Sequence, residues 1–167
     1  MLQTFAHRVV RAHPGYFTAA FVGTVVAQAL AMTNPVGPAI YGLALAGPIA
    51  LVCLWAWAIY SVCTPRLKDT IVAGIFASAP LLALVAGVAG WSTNNSPTAL
   101  MIFGLLFLAL WLSASSLEDH YLSNGRNSLG HKLLTTLLLY FGVIGVWVLH
   151  PRIARIAGPP PPVPRAQ

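Results

Sequence analysis

The constraint that dominates this chain is the absence of charge from five long apolar stretches. Tyr16 to Met32, Ala39 to Cys63, Ile71 to Trp91, Ala99 to Ser116 and Leu133 to Leu149 contain no Asp, Glu, Lys or Arg. A run of roughly 18 or more such residues, wound as a helix, matches the ~30 Å hydrocarbon core of a bilayer. No water is present there to hydrogen-bond a bare backbone, and a helix satisfies its backbone groups within one segment. The expected fold is therefore all-α, a polytopic membrane bundle of five transmembrane helices. Composition supports this, because charged residues make up only 7% of the chain, against about 25% in soluble domains.

The basic residues set an orientation. Arg8 and Arg11 precede the first stretch, Arg66 and Lys68 join the second to the third, and Arg126 and Lys132 join the fourth to the fifth. The intervening connections, Thr33 to Pro38 and Ser92 to Thr98, carry no charge. Such alternation predicts a cytoplasmic N-terminus under the positive-inside rule. Five crossings then place Arg152, Arg155 and Arg165 outside, against that rule. Two alternatives reduce the count to four. The fifth stretch is re-entrant in one, which returns the tail to the cytoplasm. In the other the first is a cleaved signal peptide, with Ala29-Leu30-Ala31 as its small-residue site.

Three regions follow. Residues 1–15 read as a cytoplasmic amphipathic segment, with Leu2, Phe5 and Val9 at helical spacing among His7, Arg8 and Arg11. Residues 16–150 form the bundle. Residues 151–167, with Pro159 to Pro162 and Pro164, read as a proline-rich disordered tail. Seven Arg against two Lys, with abundant Ala and Gly, suggest a GC-rich bacterial source and hence an inner membrane.

Within the stretches, small residues point to helix packing: Ala79, Ala83 and Gly87 recur every four positions, and Gly74 with Ser78 forms a second pair. Such spacing lets backbones approach where packing drives association. Pro48 and Pro80 each remove a backbone hydrogen bond and are expected to kink their helices. Cys53 and Cys63 are about 15 Å apart along one helix, too far for a mutual disulfide, and read as free thiols.

Chemistry is concentrated between the fourth and fifth stretches. Glu118, Asp119, His120, Arg126, His131 and Lys132 form a polar cluster at the expected inner surface. Ser123-Asn124-Gly125 is a helix stop, so the fourth helix should run past Ser116 to about Leu122. Glu118 and Asp119 then fall in its last turn, where the macrodipole disfavours anions and a nearby cation is required. The leading reading of the cluster is a salt-bridged structural loop, followed by a partner-docking surface. A metal or catalytic site using Glu118, His120 and His131 is third, because Glu118 and His120 point to different sides of a helix.

No basic run interleaved with aromatics marks a nucleic-acid surface, and no catalytic, cofactor or metal-binding motif occurs. The absence of charge within the stretches also counts against a proton-coupled pump. The expected function is non-catalytic: an accessory, scaffold or interaction subunit of the inner membrane. Its expected partners are the lipid bilayer and a membrane protein or a second copy of itself. A small-solute transporter or channel acting as an oligomer is the alternative.

Overall fold

The structure, a computed structural model, describes residues 2–34, 36–64, 70–91, 96–121, 129–156 and 158. Regular structure among the described residues is entirely helical: α1 (Leu2–Arg11), α2 (Pro14–Thr33), α3 (Pro38–Cys63), α4 (Thr70–Val88), α5 (Pro97–Tyr121), α6 (Leu129–Tyr140) and α7 (Val143–Ile156). Four helices are long and apolar enough to cross a membrane, namely Pro14–Thr33, Pro38–Cys63, Ile71–Val88 and Pro97–His120. Their outward faces expose Val22, Leu30, Leu81, Leu100 and Phe103, an apolar surface suited to lipid.

Local chemistry sets the helix ends. Pro14, Pro38 and Pro97 each open a helix, where a missing N–H costs nothing and φ is already helical. The imidazole Nδ1 of His13 accepts a hydrogen bond from Gly15 N–H at 3.1 Å and caps α2. Gly90, with φ +66°, ends α4, and Trp91 N–H returns to the Ala86 carbonyl at 2.9 Å. That pairing after a left-handed glycine is a Schellman closure. The helices α3 and α4 continue through Pro48 and Pro80.

The central helix is α3, which packs against α1, α2, α4 and α5. Its tightest neighbour is α4, because glycine faces glycine: a Cβ on Gly87 would lie 2.5 Å from the Gly42 Cα. Ala79 and Ala83 are fully buried on the same side of α4. Towards the N-terminal end of the bundle, a larger core joins Ala6 and Val10 of α1 to Trp55 and Ile59 of α3. Leu110 and Leu117 of α5, Leu139 of α6 and Leu149 and Ile153 of α7 complete it.

The fifth apolar stretch, Leu133 to Leu149, is not one helix. It breaks at Phe141 and Gly142, between α6 and α7, with Gly142 at φ +36°. The limbs then fold back on each other. Thr135 and Arg152 are 17 residues apart, a separation of about 25 Å along a straight helix. Yet both approach one oxygen of Glu118, at 2.5 Å and 3.9 Å. Gly145 permits the close return, since a Cβ there would run into the Leu138 carbonyl. The turn at Gly142 lies beside Phe21 of α2 and Val52 of α3. Counted from Pro14 and from Cys63, that is about 10–16 Å along the bundle from the end where α1 sits. The ends of α1 and α7 meet at that same end, where Arg11 Nη2 donates to the Gly158 carbonyl at 2.8 Å.

Packing of this kind gives a paired test. Gly87→Ala places a methyl against the Gly42 backbone and is expected to cost about 1–3 kcal/mol, the usual range for overpacking. Gly74→Ala, whose added Cβ meets nothing within 4 Å, should leave stability unchanged or slightly raised. Thermal unfolding of both variants in one detergent measures the contrast.

Candidate functional site

The polar residues of the chain gather where α5, α6 and α7 converge. The fourth long helix runs to Tyr121, so Glu118 and Asp119 lie in its last turn, as the helix stop predicts. The two neighbouring carboxylates face opposite ways. Glu118 is 3% exposed and turned into the bundle, whereas Asp119 and His120 are exposed.

Each carboxylate has found donors on the following limbs. Thr135 Oγ1 of α6 donates to Glu118 Oε1 at 2.5 Å, and Arg152 Nη1 of α7 stands 3.9 Å from the same oxygen. Lys132 Nζ of α6 contacts Asp119 Oδ1 at 2.8 Å. A buried carboxylate is tolerated only when hydrogen-bonded and balanced by a cation. The hairpin supplies the hydroxyl from one limb and the guanidinium from the other. The Asp119–Lys132 pair is more exposed and contributes less.

Hydroxyls extend the network towards α3. Ser113 Oγ, fully buried, donates to the Ala56 carbonyl at 2.9 Å and is also 3.0 Å from the Ala109 carbonyl. The hydroxyls of Thr64 and Ser116 share a short hydrogen bond. On the other flank, Trp147 Nε1 of α7 donates to Thr18 Oγ1 of α2 at 3.1 Å. Interhelical bonds of this kind contribute on average about 0.6 kcal/mol each in membrane bundles. Their value here is positional: two tie α5 to α3 and its C-terminal cap, and one ties α7 to α2.

Of the sequence-derived cluster, the structure brings Asp119 and Lys132 together, while Glu118 meets Thr135 and Arg152. His120 points outward from α5, and His131 is exposed in the first turn of α6. Arg126, like Arg66 and Lys68, lies outside the described residues. Among the described residues, no three His, Cys, Asp or Glu side chains are placed to hold a metal ion. Cys53 and Cys63 are free and buried in α3. Of the packing residues, Ala79, Ala83 and Gly87 face the interior, whereas Gly74 has open space around it and Ser78 bonds back to the Ile75 carbonyl.

Thr135 and Arg152 are the partners that sequence reasoning did not assign. Two signals pointed to them. Thr135-Thr136 is a polar pair inside an otherwise apolar stretch, and Arg152 stood on the wrong side of a five-span topology.

Removing Glu118 therefore costs more than removing its neighbour. Glu118→Ala leaves Thr135 and Arg152 without their shared acceptor and is expected to lose about 1–3 kcal/mol. Asp119→Ala should lose under about 1 kcal/mol. Thermal unfolding combined with protease accessibility between Gly142 and Arg152 checks both, with the hairpin loosened selectively by the first change.

Comparison with protein-family models, curated proteins and solved structures finds no match to this chain.

Proposed function

We propose that the chain is a non-catalytic interaction subunit of a bacterial inner membrane, with four crossings and a re-entrant α6–α7 hairpin. The observation that carries the interaction reading is the outward face of α4. Ala73, Gly74 and Ala77 are exposed there, and a Cβ on Gly74 meets nothing within 4 Å. An open apolar groove adjoins this face, lined by Cys53, Leu54 and Trp57 of α3 and by Phe76 and Pro80 of α4. In lipid, close backbone approach over small residues drives helix association. The equivalent stripe on the inward side of α4 already serves α3; the outward one is the same chemistry without an intramolecular neighbour at Gly74.

The nearby polar side chains serve a different purpose. Glu118 is engaged by Thr135 and Asp119 by Lys132, which supports a structural role for these carboxylates over a catalytic one.

The fold-back supports this topology. Its N-terminal helix and the end of α7 share one end of the bundle through the Arg11–Gly158 hydrogen bond. Arg152 and Arg155 then join Arg8, Arg11 and Lys132 on one side, and the conflict with the positive-inside rule disappears. A reporter fused after Gln167 is expected to report the cytoplasm, as is one fused before Met1. Periplasmic signal from the C-terminal fusion alone would restore the fifth crossing.

The interaction reading has its own test. A photo-crosslinking residue at Gly74 or Ala77, in native membranes, is expected to give one discrete adduct with a second protein, and Gly74→Trp should abolish association. The same residue at Val22, on the lipid-exposed face of α2, serves as the control. An adduct between two copies of this chain, with solute flux in vesicles, would overturn the subunit reading in favour of an oligomeric transporter.

A further inference from the structure

The α1–α7 junction carries basic side chains that are not paired with either described carboxylate. Glu118 and Asp119 are the two acids among the described residues, and both are engaged with α6 and α7 side chains. Arg8 and Arg155 are exposed, and neither forms an ion pair or side-chain hydrogen bond with any described residue. They belong to elements held together, since Arg11 Nη2 donates to the Gly158 carbonyl at 2.8 Å and Gly158 N–H returns to the Arg155 carbonyl at 3.4 Å.

The same junction has an apolar flank. Ala6 and Val10 of α1 and Ile153 of α7 are buried in the common core, which fixes α1 against the bundle. Phe5, next to Ala6, remains 48% exposed. An aromatic ring left open beside an exposed arginine, on an amphipathic helix at the end of a membrane bundle, matches the layered chemistry of the interface. The ring suits the acyl boundary and the guanidinium the headgroup plane.

We propose that this surface, with Arg8 and Arg155 as its charged contacts and Phe5 as its apolar anchor, binds the headgroups of anionic phospholipids. Charge complementarity selects the occupant. A guanidinium offers planar paired donors that fit two phosphate oxygens. Each basic residue at an anionic surface is worth roughly five-fold in affinity, so two together are worth roughly 30-fold. The inference rests on the membrane reading above but not on its orientation, because a nanodisc presents lipid to both ends.

Native mass spectrometry of the full chain released from nanodiscs of mixed phosphatidylglycerol and phosphatidylcholine tests it. The wild type should retain phosphatidylglycerol preferentially. Arg8→Gln with Arg155→Gln should reduce that preference roughly 30-fold, with the thermal midpoint in phosphatidylcholine unchanged. Arg8→Lys with Arg155→Lys, which keeps the charge but not the paired donors, should give a preference between those of the wild type and the Gln variant. Undiminished preference in the Gln variant, or none in the wild type, would overturn the proposal. Displacement by soluble glycerol 3-phosphate would also overturn it, making free phosphate the ligand. Should the Gln variant fail to fold, a salt titration of the wild type decides: preference must fall with added salt, and a flat response sinks the idea. A reporter result against the proposed topology would leave these outcomes unaltered.

Discussion

The carboxylate of Glu118 determines how the last third of this chain is arranged. It sits at 3% exposure in the final turn of α5, where the carbonyl end of the helix is already electronegative. A charge in that position has to recruit donors or be expelled. Expulsion would unwind the end of α5, so the donors come to the charge. Thr135 approaches on α6 and Arg152 on α7, and both reach the same oxygen. Because those residues flank the break at Gly142, meeting one acceptor requires the chain to double back. Once it does, α7 lies along α2 through Trp147 and Thr18, and its end reaches α1 through Gly158 and Arg11.

Two different devices thus hold the two halves of the bundle. Away from α1, α3 and α4 are joined by surface shape, with Gly42 and Gly87 in backbone contact and Leu45, Ala46 and Ala83 buried around them. Lipid is as apolar as leucine, so burial alone drives no association there, and small residues gain contact by proximity. Towards α1 the chain adds hydroxyls and charges. Ser113 bonds to α3, Ser116 to Thr64, and Thr135 to Glu118. Polar side chains are tolerated at that end because each of these hydroxyls has a protein hydrogen-bond partner.

Four of the five expected stretches were legible as single helices because length and apolarity suffice to specify them, and prolines at 14, 38 and 97 mark their starts. The extension of α5 to Tyr121 was also legible, through the helix stop that follows it. Hydropathy failed at the fifth stretch for a definite reason. An apolar run reads the same whether it crosses once or enters and returns, and direction is set by backbone geometry at Gly142 and Gly145. On the proposed topology, the fold-back also accounts for the surplus of arginine after Leu149. At the polar cluster, the need of Glu118 for a cation was readable from the helix dipole, but its identity was not. The local candidates Arg126 and Lys132 were nearer in sequence, whereas Arg152 comes within 3.9 Å because the hairpin closes. Asp119 and Lys132 meet across a single connection, and that pairing was within reach of sequence spacing.

The short reach of the hairpin also explains the condition of α2. Here α7 meets α2 at Thr18, the turn meets it at Phe21, and beyond that level the described contact is with α3, where Thr24 lies against Gly47. Val22, Val25, Val26, Leu30 and Met32 stay exposed, on the least apolar of the four long helices, with mean hydropathy 1.4 against 2.0 to 2.3 for the others. Because the chain turns at Gly142, beside Phe21, α7 flanks only the first turns of α2. By the same geometry, a change that extends the α6–α7 limbs would cover α2, while a change that loosens the Glu118 contacts would free α7 from its first turns as well.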